Sequence, residues 1–170
     1  RAITVATGDS LVEASARAVL SEMIEGVSDV ELVGEAESGT EAVSLIERVR
    51  PDLALLDLEM PEMDGLEVAR VVKPERMPLF AFVTAYDEYA VRAFEVHAVD
   101  YLLKPVAPER LQETFRRVRD QIGKPGWREG HVANLRLATG EYERARAQSL
   151  ERLPVRKGDD ILMVPTEQIV

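Results

Sequence analysis

Between Ala2 and Gly123 the chain alternates short apolar runs with stretches of helical spacing, five times over, and that alternation leaves few folds open. The runs are Ala2 to Ala6, Val30 to Ala36, Leu53 to Leu56, Leu79 to Val83 and Tyr101 to Leu103. Strands this short and this apolar suit burial on both faces of a sheet. Strand-then-helix repeats imply parallel pairing, right-handed crossovers and helices on both sides. The expected fold is α/β, with a five-stranded doubly wound parallel sheet over residues 1–122.

The helical stretches have local signals of their own. Leu11 to Ile24 has helical spacing through Leu11, Val19, Leu20 and Met23. Thr40 is the expected cap of a helix to Arg50 with Val43, Ile46 and Val49 on one face, closed by Pro51. A short helix is expected from Leu66 to Val72, and a fourth from Glu88 to Val96. The fifth starts at Pro108, a favoured first-turn residue, buries Leu111, Phe115, Val118 and Ile122, and stops at Gly123.

After Gly123 the pattern breaks. Residues 123–150 are expected to be a linker with a helix between Glu141 and Leu150, and with His131, like His97, on the surface. From Leu153 the chain reads strand, turn, strand: Leu153 to Arg156, Lys157 to Asp160, Ile161 to Val164. A lone hairpin is marginal in water. Residues 151–170 therefore look like the opening of a further domain, truncated at Val170.

Charge and composition exclude several classes. Residues 1–122 carry 24 acidic and 13 basic side chains, against 7 and 8 in the remainder, for a net charge of −10. An acidic front half opposes nucleic-acid contact there, because phosphate binding needs a basic footprint. The chain has no cysteine, hence no disulfide framework or thiolate metal site. With no apolar run of membrane-spanning length, a cytoplasmic, non-membrane setting is expected.

The chemistry concentrates where the runs end. Leu53 to Leu56 ends on Asp57, Phe80 to Val83 on Thr84, and Tyr101 to Leu103 on Lys104-Pro105. A carboxylate at the rim of a parallel sheet lies where ligands and phosphoryl groups bind. An aspartate nucleophile can take a phosphoryl group as an acyl phosphate. The transfer needs positioning and neutralisation of the phosphoryl oxygens, which an ammonium and a hydroxyl can supply.

Three segments carry a resemblance. They are Leu55-Leu56-Asp57-Leu58-Glu59-Met60-Pro61-Glu62-Met63-Asp64-Gly65, then Val83-Thr84-Ala85, then Tyr101-Leu102-Leu103-Lys104-Pro105. Residues 1–122 resemble the receiver domain of bacterial two-component response regulators, a flavodoxin-like fold. Thr84 to Ala90 and Phe94 to Pro105 resemble the subgroup whose receiver is joined to a LytTR-type DNA-binding domain, as in LytR and AlgR regulators. The tail resembles the opening of that domain. The resemblance implies Asp57 as phospho-acceptor, Thr84 as switch hydroxyl, Lys104 as phosphate-binding lysine and a cis Lys104-Pro105 peptide. It implies Tyr101 as an aromatic that rotates inward when Thr84 moves. It also implies a histidine kinase as partner, a homodimer through the fourth helix, fifth strand and fifth helix, and DNA binding only through the absent C-terminal domain.

Family members also end the first strand on two adjacent acids that hold Mg2+ with the phospho-acceptor, here Asp57, and the backbone carbonyl of Glu59. This chain reads Ala6-Thr7-Gly8-Asp9-Ser10. Counting back from the helix puts Thr7 and Gly8 in those positions; counting forward from Ile3 puts Asp9 and Ser10 there. Asp9 is the one candidate acid, so Mg2+ binding is expected to be weakened or absent. Two functions follow: a phosphorylation-controlled receiver regulating transcription, or a pseudo-receiver serving dimerisation or partner binding without phosphate. An aspartate-nucleophile phosphatase fits poorly, because Glu59 is longer than the second aspartate such enzymes use and Met60-Pro61 breaks their loop. No enzyme activity is expected.

Overall fold

The computed structural model describes residues 2–8, 10–85, 98–133, 144, 152–157 and 160–165. Five parallel strands, β1 (Ala2–Ala6), β2 (Glu31–Ala36), β3 (Leu53–Asp57), β4 (Leu79–Thr84) and β5 (Asp100–Leu103), form one sheet in the order β2-β1-β3-β4-β5. Labels count the described elements, so the helices are α1 (Leu11–Glu25), α2 (Gly39–Val49), α3 (Gly65–Val71) and α4 (Pro108–Ile122). The expected fourth helix, Glu88 to Val96, lies outside the described residues.

Alternation along the strands builds two cores. Ile3, Val5, Leu53, Leu55, Leu79, Ala81 and Val83 face Leu20 and Ile24 of α1 and Leu111, Phe115 and Val118 of α4. Their neighbours Ala6, Ala54, Leu56, Phe80 and Phe82 face Ala42, Leu45 and Ile46 of α2 and Leu66, Val68 and Ala69 of α3. Every residue of β3 and β4 is buried, as two-sided coverage requires. The doubly wound sheet is the one the alternation implied, and the fold is flavodoxin-like, as the resemblance implied.

Local details depart from the sequence reading. The helix α1 turns Leu20 and Ile24 inward and leaves Leu11 88% and Val19 50% exposed. The cap of α2 is Ser38 rather than Thr40: its extended backbone lets its hydroxyl accept from the Glu41 N–H at 3.2 Å. Thr40 lies inside the helix, and before it Gly39 packs against the Met63 carbonyl, where a Cβ would stand 2.1 Å away.

Two corrections concern the expected linker. Residues 127–133 are helical, with Trp127 packed against the core under α1 and α4 and Val132 against the other. His131 is not on the surface. It is 5% exposed, its ring centroid 6.0 Å from that of Phe80, and it lies over the start of β4. Further on, Arg152–Lys157 (β6) and Asp160–Pro165 (β7) pair antiparallel, the strand-turn-strand unit read from the sequence. His97 and most of the helix expected between Glu141 and Leu150 fall outside the described residues.

Candidate functional site

The parallel register brings four strand ends to one rim. Ala6 pairs with Leu56, Asp57 with Val83, and Thr84 with Leu103. Asp57 therefore lies between Thr7, the next residue of the first strand's chain, and the end of β4, with Lys104 one residue beyond β5. The backbone locks the rim: Leu58 N–H donates to Val83, and Lys104 N–H donates to Thr84, at 3.1 and 2.9 Å. The Lys104-Pro105 peptide is cis, as the resemblance implied.

Asp57 is 2% exposed and fully engaged. Lys104 Nζ donates to its Oδ2, and the Glu59 N–H donates to Oδ1 at 2.9 Å. Burial pushes the Asp57 carboxyl up from the ordinary range, against Lys104 and the Glu59 N–H, which favour its ionised form. With an ammonium and an amide both donating to it, the carboxylate is the form this geometry stabilises. Burial pulls the Lys104 ammonium down, but hydrogen bonds to Asp57 and Glu13 outweigh that and leave its pKa raised.

The loop after β3 is shaped by contact. A Cβ on Gly65 would stand 2.4 Å from the Asp57 carbonyl oxygen. The glycine is required by this close approach and not by its backbone angle; the positive φ here belongs to Glu62, at 68°. Asp64 and Glu67 then form a capping box that starts α3.

The first-strand ambiguity is resolved by the register and by a cap. Thr7 follows Ala6 to the position beside Asp57, and Gly8 comes next; Ser10 caps α1 by accepting from the Glu13 N–H at 3.2 Å. Thr7 and Gly8 occupy the strand end, and neither offers a carboxylate. Asp9 lies outside the described residues. Thr7 Oγ1 accepts from Arg17 Nη1 at 3.0 Å, which also donates to the Gly8 carbonyl at 3.2 Å, while Arg17 Nη2 reaches Glu37. Among the described residues no three acid, histidine or cysteine side chains converge to hold a metal ion. The described residues do not fit the Mg2+ that receiver domains generally bind.

The sequence reading missed one site residue. Glu13, in the first turn of α1, puts Oε2 2.6 Å from Lys104 Nζ, so that the ammonium lies between two carboxylates. Its sequence signal is weak, since an acid in a first helical turn ordinarily serves the helix dipole. Thr84, 1% exposed, sits at the end of β4 beside Asp57's strand. Tyr101 is half-buried against the core that contains Phe80 and Phe82, with β4 between its strand and that of Asp57.

Residues 13–116 match the response regulator receiver domain model. The chain belongs to that family. Over 112 residues it is 44% identical to the transcriptional regulatory protein BtsR of Salmonella typhi, covering 66% of this chain and 47% of that protein. An uncharacterized response regulatory protein of Shewanella oneidensis is 34% identical over 157 residues, 92% of this chain and 60% of its own. The chain thus spans about half the length of the curated relatives it matches. Among solved structures, the receiver domain of the response regulator AraT from Geobacillus stearothermophilus is 33% identical with a TM-score of 0.60, over 71% of this chain and 94% of that one. The receiver domain of the putative response regulator NarL from Mycobacterium tuberculosis also reaches 0.60, at 28% identity over 72% and 97%.

Proposed function

We propose that this chain is the input half of a cytoplasmic transcription regulator, a switch rather than an enzyme, in which Asp57 accepts a phosphoryl group from the phosphohistidine of a histidine kinase. The observation that carries this reading is the engagement of the buried Asp57 carboxylate by the Lys104 ammonium and the Glu59 N–H. An Asp57 oxygen attacks phosphorus, the O–P bond forms as the N–P bond breaks, and the imidazole leaves with the electron pair. Lys104, the Glu59 N–H and the Thr84 hydroxyl neutralise the phosphoryl oxygens. Thr84 is drawn toward the phosphoryl group, and Tyr101, packed on the Phe80 and Phe82 core, follows. The response is a population shift that favours a homodimer through the face around β5 and α4, where Leu103 is 42% exposed.

The β6–β7 hairpin is the start of a LytTR-type DNA-binding domain. Supporting this, the Shewanella relative matches across 92% of the chain and BtsR is named a transcriptional regulatory protein. A second reading, the pseudo-receiver, is favoured by Thr7 and Gly8 at the strand end, which leave Mg2+ without its acid pair.

Intact-protein mass after incubation with acetyl phosphate and Mg2+, beside Asp57→Asn, separates the two. An adduct of one phosphoryl group in the wild type alone supports the switch; its absence, under conditions that label an ordinary receiver, supports the pseudo-receiver.

A further inference from the structure

A carboxylate from outside the sheet rim enters this site. Glu13 reaches Lys104 at 2.6 Å from the first turn of α1, and three features set it there. Ser10 fixes its backbone by capping. Arg17, one turn on and buried, ties the helix to the strand-end loop through Thr7 Oγ1 and the Gly8 carbonyl. Gly8 leaves the space: a Cβ there would stand 3.3 Å from Glu13 Cγ and 3.6 Å from Pro61 Cδ. A side chain at position 8 would crowd the stem of Glu13, so the lost strand-end acid and the inserted helix acid are complementary features of one site.

From this we infer that Glu13 is a built-in competitor for Lys104, a positioning residue that holds the ammonium against the helix and sets how readily Asp57 takes and keeps a phosphoryl group. The inference rests on the phospho-acceptor reading. At rest one ammonium serves two carboxylates. A phosphoryl group on Asp57 brings roughly −1.5 to −2 charges near neutral pH and claims the same ammonium. Glu13 then faces it as a like charge within reach of Lys104. A single opposite or like charge at such range shifts an ionisation by about 1–3 pKa units, so its removal is worth roughly tenfold or more in occupancy. Glu13 does not touch the reacting atoms; it acts through Lys104.

The test uses the full chain, acetyl phosphate and Mg2+ at fixed pH, with wild type, Glu13→Gln, Lys104→Met and the double variant. Acetate leaves as the Asp57 O–P bond forms, and intact mass follows the adduct. Glu13→Gln is expected to raise steady-state labelling roughly tenfold, and to have no such effect in the Lys104→Met background. Labelling that stays level or falls in Glu13→Gln overturns the inference, and a fall with weaker Mg2+ binding would make Glu13 a substitute metal ligand instead. Urea midpoints of the same four chains provide a second readout, expected to be non-additive. If no chain labels, the phospho-acceptor reading fails by itself. The midpoints then decide the Glu13–Lys104 pair, and additive midpoints overturn it.

Discussion

Lowering the pH from 7.5 to 5 should weaken the attachment of residues 127–133 to the domain through one side chain, His131. Burial holds its imidazole well below the ordinary 6.5, at about 4, with the Pro78 carbonyl, which accepts from the ring, opposing the shift. Its Nε2 is buried and has no hydrogen-bond partner among the described residues, so a proton there would be a charge that none of them receives. The sign follows. The docked state binds fewer protons than the released one, so this contribution is intact above 6.5 and is lost as pH falls from there toward 4. With those two values the loss at pH 5 is about 2 kcal/mol, and about 3 kcal/mol when complete. Amide hydrogen exchange across 127–133 and Trp127 fluorescence read the release. Carboxylates elsewhere titrate over the same range, so the quantity that counts is the difference from His131→Phe, which keeps a ring against Phe80 and cannot protonate. That difference should shrink by about 2 kcal/mol between pH 7.5 and 5. Parallel pH curves for the two chains would refute the reasoning.

Other substitutions test the rim and α4. Gly65→Ala places a methyl 2.4 Å from the Asp57 carbonyl, so the start of α3 must move; a loss of about 2–3 kcal/mol in urea unfolding is expected, together with reduced labelling of Asp57. Asp100 is buried and accepts from Arg110 twice at 2.6 Å, from Thr114 at 2.8 Å and from Arg117 at 3.0 Å. Asp100→Asn leaves two guanidinium groups facing an amide, but both arginines are partly exposed and hydrate, so about 1–3 kcal/mol is expected by the same assay.

Much of the fold was legible because the strands are buried on both faces. Runs such as Leu53 to Leu56 and Leu79 to Val83 have no other use for so many apolar residues, and their ends fall within a residue or so of the expected bounds. The helices were legible in extent but not in phase. The spacing of Leu11, Val19, Leu20 and Met23 is helical whichever way the helix is turned, and only packing against the sheet selects Leu20 and Ile24 over Leu11 and Val19. Residues 127–133 were illegible for a related reason. The described stretch 127–133 holds one tryptophan, one histidine and one valine, which give no periodic signal, and it is held by surfaces from residues some fifty positions earlier, Phe80 among them.

The candidate site was half legible, and the division has a physical cause. Asp57, Thr84 and Lys104 are each the first polar residue after an apolar run, so the strand pattern alone delivers them to one rim. The contribution of α1 cannot be read that way. Whether Gly8 is merely a missing acid or the room for another one depends on where the stem of Glu13 passes, a separation of 3.3 Å that no spacing encodes. Arg17 is a second instance: a buried arginine in a helix would be a cost without Thr7, the Gly8 carbonyl and Glu37 to receive its donors. Thr7, Gly8, Glu13 and Arg17 therefore make sense as a set. Thr7 and Gly8 leave room at the strand end, and the helix places there a carboxylate for Lys104 and a guanidinium for the loop.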